Sequence, residues 1–142
     1  MKREEKDLLL RDLSARLPFG VKAKANDITV VTINGIVKRQ SLTGYFDYDI
    51  ITDNGNFYLK EVKPYLRPLS SMTDEEFEYL NKLGVENSLK CIEIDDPKES
   101  FSLATKFCVE QLAYLYKHHY DVFGLISADL ALSTDEFNPY KE

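Results

Sequence analysis

Asp49 on one candidate strand and Glu61-Val62-Lys63 on the next are residue types suited to metal-dependent phosphodiester cleavage. Carboxylates hold a divalent cation there, and a lysine steadies the attacking water or the charged phosphate. Whether they can cooperate depends on the turn between them. Asn54-Gly55 reads as a two-residue hairpin turn, pairing Asp53 with Asn56, Ile51 with Tyr58 and Asp49 with Lys60. Paired residues share a face and neighbours alternate. Asp49 then lies with Lys60, while Glu61 and Lys63 join Phe46, Tyr48, Ile50, Phe57 and Leu59 on the opposite face. Only a one-residue bulge would reunite the groups. The expectation is a core-facing row with an Asp49–Lys60 ion pair, and no catalytic residue or metal ligand.

A second candidate is "KPYLRPLSSMTDEE" (63–76). Each proline biases its predecessor, Lys63 or Arg67, toward extended backbone. Lys63, Tyr65 and Arg67 then project one way and Pro64, Leu66 and Pro68 the other. An aromatic between two cations could stack a base or hold an acidic peptide. The plainer expectation is that Lys63 and Arg67 neutralise Asp74, Glu75, Glu76 or Glu78 of the following helix, each exposed pair adding about 0–1 kcal/mol. His118 and His119 are the third candidate. Adjacent residues diverge by about 100° on a helix and do not share a metal there, so a cationic or hydrogen-bonding role at a helix C-terminus is expected. The candidate binding residues are therefore Lys63, Tyr65, Arg67, His118 and His119. Cys108 falls in an apolar stripe, Ser14, Ser70 and Ser71 lack nucleophile-elbow glycines, and no glycine-rich phosphate loop exists. No cofactor is implied.

The elements that would position these residues are legible. Leu8, Leu9, Leu13 and Leu17 predict a helix over 1–17, with Asp12 and Arg16 on its wet side; Pro18 and Gly20 stop it. "VKAKA", "ITVVTI", "IVKRQ", "YFDYDII" and "NFYLKEV" predict about five antiparallel strands in a meander over 20–70, with turns at Asn26-Asp27, Asn34-Gly35 and Asn54-Gly55. Thr73 and Glu76 form a capping box, with Met72 and Phe77 as hydrophobic staple, for a helix ending at Gly84. Asp96, Pro97 and Glu99 start a second helix running to His118 along Phe101, Ala104, Cys108, Leu112 and Leu115. A short helix is expected within 123–132 and a polar tail over 133–142.

At 142 residues the chain reads as one domain. Its longest apolar runs fall far short of the roughly 20 residues of a membrane span, its start lacks an apolar leader core, and its two cysteines, Cys91 and Cys108, lack metal spacing. A reduced, cytoplasmic setting without membrane contact is expected. Residues 1–70 hold 12 Lys/Arg against 9 Asp/Glu, and residues 71–142 hold 6 against 15. The net charge of −6 disfavours broad nucleic-acid affinity, although Lys22, Lys24, Lys38, Arg39, Lys63 and Arg67 could form a local basic patch.

Two resemblances follow from these residues. The Asp…Glu-x-Lys spacing, and the order helix, strands, helix, strand, resemble metal-dependent nucleases of the restriction-endonuclease type, against which the hairpin register speaks. More specifically, "LLLRDLSARLPFGVK" (8–22), "KPYLRPLSSMTDEE" (63–76) and "HHYDVFGLISADLAL" (118–132) together resemble a family of small proteins from certain anaerobic gut bacteria and their phages. Ser14 stands where that family commonly has Cys, Leu69 where it has Met, and Phe123 where it has Arg. The family carries no established activity, so the resemblance implies a phage or mobile-element origin and no chemistry.

The sequence thus predicts a single α+β domain: an N-terminal helix, an antiparallel meander forming an open sheet or small barrel, then two to three helices. The expected function is a non-catalytic protein-interaction or accessory module whose partner is another protein or a second copy. A nucleic-acid module using the basic first half, and the nuclease, are the alternatives.

Overall fold

The computed structural model describes residues 2–40, 46–87 and 107–141. Helix α1 (Arg3–Arg16) leads into β1 (Val21–Ala25), β2 (Thr29–Gln40), β3 (Phe46–Thr52), β4 (Gly55–Tyr58) and β5 (Val62–Leu66). Helices α2 (Asp74–Asn87) and α3 (Val109–Lys117) follow, and a two-residue β6 (Leu132–Ser133) ends the order. The architecture is α+β, and its six-stranded open sheet is ordered β4-β3-β2-β1-β5-β6. It is mixed, not wholly antiparallel, because β5 and β6 run parallel, Tyr65 opposite Leu132.

The strand boundaries differ from expectation at two turns. Asn34-Gly35 does not reverse the chain; β2 runs through it, and the ladder slips between Ile33↔Thr52 and Gly35↔Ile51. With β3 offering partners on both sides, the extra residue is absorbed as a bulge. The second reversal is at Asp53 and Asn54 instead of Asn54-Gly55, with Thr52↔Gly55 and Asp49↔Tyr58 paired. Gly55 takes φ +96, whereas Asp53 and Asn54 keep negative φ, the pattern of a type I turn closed by a left-handed glycine. Tertiary bonds select it: the Asp53 carboxylate accepts from Thr32 N–H at 2.9 Å, and Asp53 N–H donates to the Thr32 carbonyl at 3.1 Å. The pairing slides by two residues, an even number, so the face assignment survives although the partners change.

"NFYLKEV" is not one strand. A 3₁₀ turn at Leu59–Glu61 separates β4 from β5, which crosses to the far side of β1, with Ala23 opposite Pro64. In a flat sheet four strand spacings would be about 19 Å. The four residue steps from Tyr58 to Val62 reach at most about 14 Å. The sheet must therefore curl, although β4 and β5 do not pair.

Two cores result. Leu9 and Leu13 of α1 pack into the curl on Val21, Ala23, Val31, Ile33, Ile50, Leu59, Val62 and Leu66. Leu80 of α2 and Leu115 of α3 pack with Leu69, Met72, Tyr116, Tyr120 and Val122. The capping box stands: Glu76 N–H donates to Thr73 Oγ1 at 3.1 Å, and Thr73 N–H to Glu76 Oε1 at 3.2 Å. Gly84 does not end α2, which continues to Asn87 with Gly84 buried. Cys108 is the N-cap of α3, not part of its stripe. The start signals Asp96, Pro97 and Glu99, with Phe101 and Ala104, lie outside the described residues. The helix expected within 123–132 is absent: residues 123–131 form bends and turns closed by Asp121, whose carboxylate accepts from Leu125 and Ile126 N–H at 2.8 and 3.0 Å.

Asp12 and Arg16, expected on the wet side of α1, are both fully buried. Arg16 Nε donates to Asp12 Oδ2 at 2.6 Å and Nη2 to Oδ1 at 2.9 Å. The same Nη2 reaches the Tyr120 carbonyl at 2.5 Å, and the guanidinium lies 5.0 Å from the Tyr116 ring centroid. This pair ties α1 to the second core. Removing one partner of a buried pair strands the other charge, so Asp12→Ala is expected to lose about 3–5 kcal/mol in urea unfolding. Loss below about 1 kcal/mol would show that the seam does not depend on it.

Candidate functional site

The site is built around the end of α3. Beyond Lys117 the chain turns through His118 and then His119, whose φ is +65. His119 N–H donates to the Tyr116 carbonyl at 3.0 Å and Tyr120 N–H to the Leu115 carbonyl at 2.9 Å. That is the Schellman arrangement, completed by burial of Tyr120 beside Leu115 in one core. Glycine normally occupies the left-handed position; a residue with a Cβ there costs about 1–2 kcal/mol. Histidine is thus a strained choice, and such outliers point toward function when the surroundings enforce them.

The surroundings do enforce it. Arg67 N–H donates to the His119 carbonyl at 2.7 Å and Asp121 N–H to the Arg67 carbonyl at 2.8 Å, a parallel bridge between Arg67 and Tyr120. The His119 ring stacks on Tyr140 with centroids 3.5 Å apart and planes 8° from parallel. Tyr140 is held in turn: its hydroxyl donates to the Tyr65 carbonyl at 3.0 Å and accepts from Lys22 N–H at 2.8 Å. His119 Nδ1 is buried and finds no hydrogen-bond partner among the described residues, at a cost of about 1–3 kcal/mol.

Arg67 makes a two-pronged pair with Glu76, Nη2 to Oε1 at 2.9 Å and Nη1 to Oε2 at 3.1 Å. Its guanidinium lies 4.2 Å from the Tyr120 ring centroid. Burial by itself would raise the Glu76 carboxyl, but the Arg67 fork and the Thr73 N–H bring it down to about 2. Next to this pair opens a cleft of about 460 Å³, lined by Arg67, Lys117, His118, His119, Asn138, Tyr140 and Lys141.

Of the five candidate binding residues, Arg67, His118 and His119 meet in this cleft; Lys63 and Tyr65 do not line it. Lys63 turns to Asp129 at 3.0 Å, not to the acidic start of α2. Tyr65 is buried and sets its ring against Phe137, centroids 5.6 Å apart, so it presents no exposed face for a base. The alternation expected of an extended strap fails because the C-terminal segment returns to β5: β6 pairs along its edge, Phe137 packs on the Tyr65 ring, and the Tyr140 hydroxyl bonds the Tyr65 carbonyl. The segment 133–142, expected as a polar tail, supplies Asn138, Tyr140 and Lys141 to the cleft; only the tyrosine hinted at it. The cationic role expected of the histidines also changes. Burial, then the nearby Arg16, His118, Arg67 and Lys22 charges, push His119 down to about 4. Burial likewise lowers His118, whose ring lies 4.4 Å from Tyr114. The cleft's charge at neutral pH rests on lysines.

The groups of the Asp…Glu-x-Lys pattern are dispersed. Asp49 pairs with Arg39 at 3.5 Å in place of Lys60, Glu61 accepts from Tyr58 N–H at 3.2 Å, and Lys63 sits across the sheet on β5. Among the described residues no group of three His, Cys, Asp or Glu side chains could hold a metal ion. No helix in those residues is long and apolar enough to cross a membrane.

Fold and site together define an α+β chain with a lysine- and histidine-lined cleft at a strained helix terminus. No family model, curated protein or solved structure matches the chain.

A histidine held below its ordinary 6.5 is protonated more readily once unfolded. Its contribution to stability is therefore complete above about 6.5 and declines as pH falls through about 4. Melting temperature is expected to fall across that window. His119→Asn, which tolerates the left-handed backbone, should flatten the slope, leaving the smaller share of His118. An unchanged slope in the variant would remove His119 as its source.

Proposed function

We propose that the chain is a non-catalytic protein-interaction module, a cytoplasmic accessory protein of phage or mobile-element origin. The supporting observation is the cleft itself: a strained histidine, held from β5, α3 and the C-terminal segment, stands beside Lys117 and Lys141, neither of which forms an ion pair among the described residues. Preorganised side chains on rigid elements favour recognition because little is left to order on binding. The three blocks that resemble the gut-bacterial and phage family also meet here, since Arg16 bonds the Tyr120 carbonyl and Arg67 stacks on Tyr120.

The nucleic-acid alternative is weakened by how its cations are used. Lys22 Nζ donates to the Pro139 carbonyl at 3.3 Å, and Arg39, Lys63 and Arg67 pair with Asp49, Asp129 and Glu76. A phosphate backbone would have to displace these contacts to gain its own.

Affinity capture with the tagged full chain from its native host, followed by cross-linking, is expected to recover a stoichiometric partner linked near Lys117 or Lys141. Repeated recovery of none, with a monomer in light scattering, would overturn the reading. Incubation of DNA with the protein and magnesium or manganese is expected to leave the DNA intact; cleavage abolished by Asp49→Ala would replace the proposal with the nuclease.

A further inference from the structure

We infer that the cleft at the end of α3 takes an acidic segment of a partner protein, its carboxylates met by Lys117 and Lys141, which line the cleft with His118 and His119. The inference rests on the protein-interaction reading and names its partner's chemistry.

Charge complementarity comes first. Six of the seven lining residues come from the half of the chain with 6 Lys/Arg against 15 Asp/Glu, yet the lining holds no carboxylate among the described residues. Glu76, an acidic neighbour, is consumed by Arg67. The negative end of α3 would normally repel an anion. Here the Tyr114, Leu115 and Tyr116 carbonyls already accept from His118, Tyr120 and His119 N–H, which blunts that end.

The second consideration separates a short acidic segment from a long polyanion. The lining's arginine is committed to Glu76, which leaves two compact ammonium groups and two imidazoles held neutral, enough charge for a few carboxylates. A long polyanion would also run onto the first turn of α2, where Asp74 and Glu75 are exposed and Glu76 acts on His118. A volume of about 460 Å³ accommodates a few side chains.

The third is the strained backbone. Glycine at position 119 would satisfy the same Schellman turn at lower cost. The histidine ring makes a stacked wall with Tyr140 along the cleft, which glycine cannot.

The test is fluorescence anisotropy on the full chain at neutral pH. Its probes are a labelled Asp/Glu hexapeptide, its Asn/Gln counterpart, and a single-stranded oligonucleotide of matched length. The acidic peptide is expected to bind and its amide counterpart not. Lys117→Glu/Lys141→Glu should weaken the peptide by about 10-fold or more, Lys24→Glu should leave it unchanged, and added salt should weaken it because exposed charges are screened. Circular dichroism melts check that the substitutions at exposed Lys117 and Lys141 and at half-buried Lys24 leave the fold intact. Absence of peptide binding, or binding indifferent to the double substitution, overturns the inference; so does tighter, equally lysine-dependent binding of the oligonucleotide. The broader reading fails separately: a host partner still captured by Lys117→Glu/Lys141→Glu would keep the interaction module and discard the acidic segment.

Discussion

The buried pair between Asp12 and Arg16 is the constraint on which the rest of the arrangement depends. Two charges removed from water repay their desolvation only when geometry is good and further groups are satisfied. Both guanidinium-to-carboxylate bonds are short and the Tyr120 carbonyl accepts a third, while Arg16 Nη1 is left buried without a hydrogen-bond partner among the described residues. The pair lies where the sheet-and-α1 core meets the α2–α3 core, so it fixes one against the other. Position 120, pinned by Arg16 from one side and bridged to Arg67 on the other, leaves residues 118 and 119 little freedom. The left-handed histidine follows from that confinement.

A chain of local commitments then reaches outward. Arg67 is drawn to Glu76 and laid over Tyr120, which joins the start of α2 to the end of α3. Gln111 reinforces the same junction by donating to the Leu80 carbonyl at 2.9 Å. Tyr140 closes the far side by tying the C-terminal segment to β1 and β5. Residues that look like a reactive or basic surface are mostly fasteners. Lys63 anchors the 129 turn, Arg39 crosses to Asp49 while its guanidinium lies 5.2 Å from the Tyr58 ring centroid, and Lys22 holds the backbone at Pro139. These fasteners frame the cleft between α3 and the last described residues.

Strain and neutrality at His119 have one origin. The chain cannot reverse at the end of α3, present Tyr120 to Arg16 and stack a ring on Tyr140 without placing a side chain at positive φ. The burial that accomplishes this also disfavours the charged imidazole, with Arg16, Arg67 and Lys22 adding to it. A helix terminus that would ordinarily welcome a cationic histidine is instead served by backbone donors.

Short-range physics was readable from the sequence alone: α1 and its stop at Pro18, the Thr73–Glu76 capping box, the Asn26-Asp27 reversal with both residues at positive φ, and the pairing of Arg67 with a carboxylate of α2. Each involves groups within about ten residues, where propensity and spacing decide. The face on which Ile50, Phe57 and Leu59 lie was also legible, because a slip of two residues preserves strand parity. Tertiary structure alone decided the rest. Asn34-Gly35 became a bulge because β3 pairs with β2 on both sides of it, from Ile33 to Gln40, and Asp12 with Arg16 went inside because the Tyr120 carbonyl receives the guanidinium there. The supposed tail became a wall of the cleft through contacts more than a hundred positions apart, such as Tyr140 to Lys22. No local pattern encodes such contacts, since their energy exists only once the sheet has curled and the chain ends have met.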